Sequence, residues 1–294
     1  MLEPMETIAA QERGVNITAP PQETIRLRAT RGFSRVLAPH ELWRYRELAA
    51  QVALRDITVR YRQTALGGAW AVLQPIGFMV VFSLIFGNVA GISSNGLPYP
   101  LFSLAALVPW TFFSTALLLG SDSLVSNSAL VSKIYFPRIF MPAGVVVAGF
   151  VDLAISLVIL MVIVLAWGYA PSPAILALPL LIGIAAAAAL GTSAALSAVN
   201  VRYRDVRYVV PFAIQMWLFI TPVVYPSSSI AEPWRTLSAI NPMVGVVEGF
   251  RWATLGTGNA PWDLIGISAL AAVALFFGGL AYFDRVERSF ADYV

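Results

Sequence analysis

Six stretches of this 294-residue chain stay apolar long enough to matter: 69–90, 101–121, 140–167, 174–199, 207–225 and 263–283. A helix needs about 20 apolar residues to cross the hydrocarbon layer of a bilayer, so each stretch predicts a transmembrane helix. Pro109 and Pro211 interrupt two of them, which a packed membrane helix tolerates more easily than a soluble one. None shows the period-two alternation of a membrane strand. The pattern before the first span is different. Residues 1–40 are polar and proline-containing (APPQET), lack an apolar core and read as a disordered leader.

Between 42 and 63 the residues Arg44, Gln51, Arg55, Thr58 and Arg62 share one helical face, and Leu48, Val52 and Val59 another, although Arg46, Asp56 and Arg60 interrupt the second. That predicts an amphipathic helix in the headgroup layer, its basic side toward phosphates or a partner protein; a simple topology anchor would look the same. The segment then turns through Leu66-Gly67-Gly68 into the first span. The expected architecture is an all-α integral membrane protein: a leader (1–40), a cytoplasmic interface helix (41–68), a six-span domain (69–284) and a cytoplasmic tail (285–294).

Two connectors carry too much pattern to be plain loops. In 122–142 Leu124, Ala129, Leu130 and Ile134 line one side of a short helix that Pro137 ends, either a docking knob for another protein or a solvated loop. Segment 226–262 holds Pro226, Pro233, Pro242, Trp234, Trp252, Trp262 and the Glu248/Arg251 pair. It is too apolar for a free loop and too broken for a span, so short re-entrant helices are expected there, with Trp as interfacial anchors or as stacking surfaces for sugar rings. The fourth span repeats Gly183, Ala187, Gly191 and Ala195 at four-residue spacing, a face that lets another helix backbone come close, within the chain or across a dimer.

Composition agrees. The chain is 58% hydrophobic and 12% charged, where soluble domains carry about 25% charged residues. Seventeen of the nineteen basic residues fall before the first span, in the connectors 122–138 and 200–207, or in the tail; only Arg235 and Arg251 lie in the other long connector. The positive-inside rule therefore predicts both termini in the cytoplasm.

The chemistry that is missing narrows the function. Without cysteine, and with the single histidine His40 in the leader, disulfides and thiolate metal sites are excluded, and no zinc or haem cluster can be assembled. No GxxxxGKS/T loop, HExxH, GxSxG or GxGxxG motif occurs, so neither an ATP site nor a catalytic centre is visible, and clustered acids for a metal and a sugar nucleotide are absent. Asp152 is the one carboxylate deep in a predicted span. An acid at that depth is a functional candidate, for structure, for proton coupling or for helix movement.

The ordered motifs RDITVRYRQTALGGAWAVLQP, SNSALVSKIYFPRIFMP, NVRYRDVRYVV, TPVVYP, NPMVGVVEGFRW and VERSFADYV together resemble the membrane-spanning subunit of polysaccharide ABC exporters, which move O-antigen, capsule and teichoic-acid chains. The resemblance covers about residues 42–294. It implies a homodimer, a separate cytoplasmic ABC ATPase that holds the ATP and Mg, a lipid-linked glycan as substrate, contact with membrane lipids and no nucleic acid. It also implies roles. A coupling helix at about 124–138, with Leu130, Lys133, Tyr135, Phe136, Pro137 and Arg138, would meet the ATPase. Arg55, Arg60, Arg62, Leu66 and Gly67 would belong to the interface helix and substrate entry. An outer gate at about 226–255 would include Asn241, Pro242, Glu248 and Arg251. A polymer path tolerates aromatics better than strong charge, so Phe78, Trp110, Trp217 and Tyr225 are candidates for the conduit lining. The alternatives are an ABC permease for a small lipid or drug, an ion-coupled secondary transporter, and a membrane enzyme acting on lipid-linked sugars.

Overall fold

The computed structural model describes Trp43 and residues 45–62, 69–133, 136–170, 173–256 and 258–287. Among these the chain forms α1 (Arg46–Arg62), α2 (Trp70–Phe82, continued by a π-helical stretch, Ser83–Val89), α3 (Tyr99–Ser126), α4 (Ser128–Lys133) and α5 (Phe140–Ala166). A 3-10 turn (Pro173–Ala177) leads into α6 (Leu178–Arg202), followed by α7 (Val206–Ile220), α8 (Trp234–Ser238), α9 (Pro242–Leu255) and α10 (Trp262–Glu287). Prolines mark several starts: α3, α6 and α9 each carry one in the first two positions, where the missing N–H costs no helical hydrogen bond.

Five helices among the described residues are long and apolar enough to cross a membrane: Val72–Val89, Tyr99–Ser126, Phe140–Ala166, Pro173–Arg202 and Trp262–Glu287. The fifth stretch expected from the sequence, 207–225, differs. It is helical only over the 15 residues of α7, about 22 Å at 1.5 Å per residue, short of the ~30 Å hydrocarbon thickness. Pro211 sits inside α7 without ending it. Pro222 ends it, because a residue before proline is pushed out of the helical region; Thr221 is extended, with ψ 137. Residues 221–224 then run as a buried, non-helical segment.

Helix α3 forms the axis of the core. Every residue from Leu101 to Val108 is buried, whichever face it occupies, as expected of a helix that is apolar all round. Helices α2, α5, α6, α7 and α9 pack around it. Opposite is the case on α2, where Leu73, Val80, Val81, Leu84 and Ile85 are exposed, a surface suited to lipid or to another apolar protein face.

The closest helix contact joins α6 and α10. A Cβ built on Gly279 would overlap the carbonyl of Gly191, and one built on Gly191 would overlap the backbone at Leu275 and Phe276. Backbone meets backbone here, the small-residue packing that membrane helices use. Of the four-residue stripe seen in the sequence, Gly191 serves packing within the chain, whereas Gly183 has open space beside it. The two helices run in the same direction. Leu181 and Ile265 both approach Gly249 near their starts, and Ala194, Ala198, Leu280 and Phe283 meet in one cluster near their ends.

Gly279→Val is expected to abolish the folded peak in size-exclusion chromatography of the detergent-solubilised protein. Gly183→Ala should elute like the native chain, with a stability change within about 0.5 kcal/mol.

Candidate functional site

Polar and charged side chains gather at the two ends of the bundle. At one end lie α1 and α4. Val52 and Ala53 of α1 are buried, and Val52 joins a cluster with Leu124, Phe136, Phe140 and Phe283, against which Leu48 and Leu130 also pack. Leu48 and Val52 of the apolar face read from the sequence therefore dock, and the side chain of Val59 lies outside the described residues. Within the expected short helix the described residues form α4; Leu124 still belongs to α3, Asn127 alone separates the two, and Ile134 lies outside the described residues. Phe136 is buried, and Pro137 and Arg138 are half-buried at the entrance to α5, where Phe140 N–H donates to the carbonyl of Pro137 and Met141 N–H to that of Arg138.

Arg55 of α1 donates to Asn127 Oδ1 at 2.7 Å and to Asp56 Oδ1 at 3.0 Å. The backbone of Arg60 and Arg62 completes α1 and that of Lys133 ends α4. Their side chains, like Leu66, Gly67 and Tyr135, lie outside the described residues, as do His40 and the leader. Asp152 is half-buried on α5 and engaged within the chain.

The other end is built around Arg251, which is 3% exposed. Its Nη1 donates to Glu248 Oε1 (3.1 Å), its Nη2 to the Val223 carbonyl (2.7 Å) and its Nε to the Phe102 carbonyl (3.2 Å). The guanidinium also lies 3.6 Å from the centre of the Phe102 ring. Glu248 Oε1 in turn accepts the Ser227 N–H at 2.8 Å, and Tyr99 Oη donates to the Val224 carbonyl at 2.7 Å. Asn241 caps α9 by accepting the Met243 N–H and donates to Thr221 Oγ1 at 2.8 Å. Ser268 of α10 accepts the Gly245 N–H and donates to the Ala239 carbonyl. Of the residues chosen from sequence, Asn241, Glu248 and Arg251 fasten α9 to the 221–227 segment, Arg251 reaches α3 as well, and Pro242 occupies the first turn of α9. Nothing in the residue pattern pointed to Thr221, Ser268 or Phe102. A single serine in an apolar helix looks like any other, and carbonyl acceptors leave no mark on residue type.

A looser polar group sits outside this core. Arg235 bridges Glu232 (3.0 Å) and Asp263 (3.3 Å), linking α8 to the start of α10. Hydrogen bonds from Thr236 and then from Arg235 hold the Glu232 carboxyl below its usual range. The contact is therefore intact at neutral pH and is lost only as pH falls through that lowered value.

The four aromatic candidates do not share one surface. Phe78 is 43% exposed on α2. Trp110 is 5% exposed and packs beside Phe113, whose ring meets the edge of Trp217 at 5.1 Å. Trp110 is taken up by the core and is withdrawn from any lining, because its ring fills space around α3. Tyr225 is half-buried, with its hydroxyl on the Phe219 carbonyl. The open aromatic face lies instead on α7, where Tyr208, Phe212 and Phe219 are exposed at helical spacing. Among the described residues no group of three or more His, Cys, Asp or Glu is placed to hold a metal.

Arg251→Met would strand the carboxylate of Glu248 and is expected to cost about 3–5 kcal/mol. Adding Glu248→Gln should recover part of that loss, and Asn241→Ala should cost only about 1 kcal/mol. Melting temperatures of the solubilised variants should rank accordingly.

The sequence profile of the ABC-2 type transporter family matches residues 48–255. Among curated proteins, the chain is 32% identical over 256 residues to the O-antigen export system permease protein RfbA of Myxococcus xanthus, covering 86% of this chain and 97% of that protein. It is 24% identical over 247 residues to the protein of the same name from Klebsiella pneumoniae, covering 84% and 94%. It is also 24% identical over 240 residues to the polysialic acid transport protein KpsM of Escherichia coli, covering 80% and 92%. The matched region runs from within α1 through the end of α9, both polar ends of the bundle included, and the chain belongs to the ABC-2 type transporter family.

Proposed function

We propose that this chain is the membrane-spanning subunit of an ATP-driven exporter that carries a lipid-linked polysaccharide of the O-antigen or capsule kind across the cytoplasmic membrane. The observation that carries this reading is the nearly end-to-end match, at 32% identity, to an O-antigen export permease. The chain is a permease without a catalytic centre of its own, and hydrolysis belongs to a separate ATPase.

The direction of the helices supports six crossings. Helices α6 and α10 run the same way, so the chain must return between them, and α7 with the extended 221–224 segment supplies the return. Residues 226–255 then form short helices re-entering the outer side, and both termini lie in the cytoplasm, as the distribution of arginine demands. Two copies enclose one conduit. The axis of a single chain is filled by α3, leaving no room for a hydrated polymer, while α2 and α7 each present an open apolar face. Phe78, Tyr225 and the α7 residues Tyr208, Phe212 and Phe219 line the path, offering flat surfaces to sugar rings without charges that would stall them.

Helices α1 and α4 take the push of the ATPase. Nucleotide-driven closure presses on α4, and Phe136, buried behind it, passes the motion to α5 through Phe140. The basic residues near the end of α1 and Leu66-Gly67 receive the headgroup of the carrier lipid. Asn241, Glu248 and Arg251 keep the outer helices in register, so that this region opens as a unit.

Purification of the tagged chain from its native membrane should bring down a stoichiometric ATPase with a Walker motif, and proteoliposomes of the pair should move lipid-linked glycan only with hydrolysable ATP. Transport driven by an ion gradient without ATP would overturn the reading. Phe136→Leu and Arg138→Ala should keep ATP hydrolysis while lowering glycan export; unchanged export would remove the coupling role. For orientation, a cysteine at Ser228 should react with an impermeant maleimide in intact cells, and one at Ser128 only after permeabilisation.

A further inference from the structure

Asn127 is the only residue between α3 and α4, and besides local bonds to Val125 and Ser126 three hydrogen bonds tie it to the helices around it. Its carbonyl accepts the Leu130 N–H at 2.9 Å, starting α4. Its Nδ2 donates to the Ser123 carbonyl at 2.8 Å, closing α3. With Nδ2 so committed, Oδ1 faces α1 and accepts from Arg55 Nη2 at 2.7 Å. The guanidinium is itself oriented by Asp56, whose Oδ1 accepts from both Nε and Nη2. One turn earlier on α1, Val52 and Ala53 are buried where α1 crosses α5 at Gly144; a Cβ there would meet Val52 Cγ1 at 2.9 Å. Helix α4 has six residues, too few to stand alone in water, so its angle to α3 depends on what fixes Asn127 together with the packing of Leu130 against the Val52 cluster.

We propose that Arg55 is a positioning residue: by bonding Asn127 it ties α1 to the hinge between α3 and α4, so that the two helices move as one lever. The proposal rests on reading α1 and α4 as the surface that meets the ATPase. It assigns Arg55 away from the basic face offered to lipid phosphates, because its strongest donor is spent within the chain. The contact is charge-assisted and short but partly open to water, with 39% of the Arg55 side chain exposed. Its loss should therefore loosen the lever without unfolding the bundle.

The chain contains no cysteine, so spin labels at Ala50→Cys on α1 and Ser128→Cys on α4, both exposed positions, report the distance between the two helices directly. In nanodiscs, Arg55→Met and Asn127→Ala should broaden the label distance distribution to the same extent, and the double variant no further. An unchanged distribution in either single variant would overturn the proposal. With the ATPase present, each single variant should lower glycan exported per ATP by about three- to tenfold, and the double should match the singles. Asn127→Asp, which keeps an acceptor for Arg55, should stay close to the native ratio; uncoupling as severe as in Asn127→Ala would count against the strut. Export loss confined to Arg55→Met and scaling with anionic lipid would reassign Arg55 to the headgroups. The distance measurement needs no ATPase. A chain that recruits none would sink the transport reading while the spread between the labels still decides the strut.

Discussion

The backbone contact between α6 and α10 at Gly191 and Gly279 is the constraint on which the remaining arrangement rests. In a bilayer the hydrophobic effect does not press helices together, since lipid tails are as apolar as leucine. Close approach must supply the attraction, through dispersion between many atoms at optimal distance. Once α10 lies against α6, its two halves are placed together. Ser268 comes within reach of the Gly245 N–H and the Ala239 carbonyl at one end, and Leu280 and Phe283 complete the cluster beneath α1 at the other. The two polar ends of the molecule are thus registered against each other by one rigid pair.

Polar groups finish what packing begins. In a region of low dielectric each unsatisfied backbone group costs several kcal/mol, and the 221–224 segment, which is not a helix, meets only the Thr221 carbonyl from within, through the Val223 N–H. Arg251 takes the carbonyl of Val223 and Tyr99 that of Val224, while Asn241 meets the Thr221 side chain. Two distant side chains, Arg251 and Tyr99, thus meet the irregular backbone, and a third, Asn241, holds the side chain at its start.

Much of this could be read from the chain. Long apolar runs are unambiguous, and four of the six predicted spans have clear single-helix counterparts, with α2 and its π-helical extension forming another. The exception has a local cause, visible in TPVVYP but hard to weigh: hydropathy continues through Pro222 although the helix does not. The polar character of Asn241, Glu248 and Arg251 was legible because a cap before proline and an acid–base pair in an apolar setting are chemically distinctive. The hinge at Asn127 was not, for an asparagine among serines carries no signal until its partner is known, and Arg55 is 72 residues away. Trp110 misled for the same reason. An aromatic in a span has two environments open to it, and only the packing around α3 decides between them.

The long reach of the contacts around Val223 bears on how the protein is made. Its carbonyl waits for Arg251, 28 residues further along the chain, and the helix carrying that arginine is itself fastened by Ser268, later still. During synthesis α7 is therefore made before Arg251, although Tyr99, the partner of Val224, is already present. Until α10 is added, Ser268 is also missing from the Gly245 N–H and the Ala239 carbonyl, and the helix that carries Arg251 is held less firmly. Truncation before Arg251 would leave the Val223 carbonyl without the guanidinium that meets it, so the loss would fall on the irregular 221–224 segment rather than on the end of the chain.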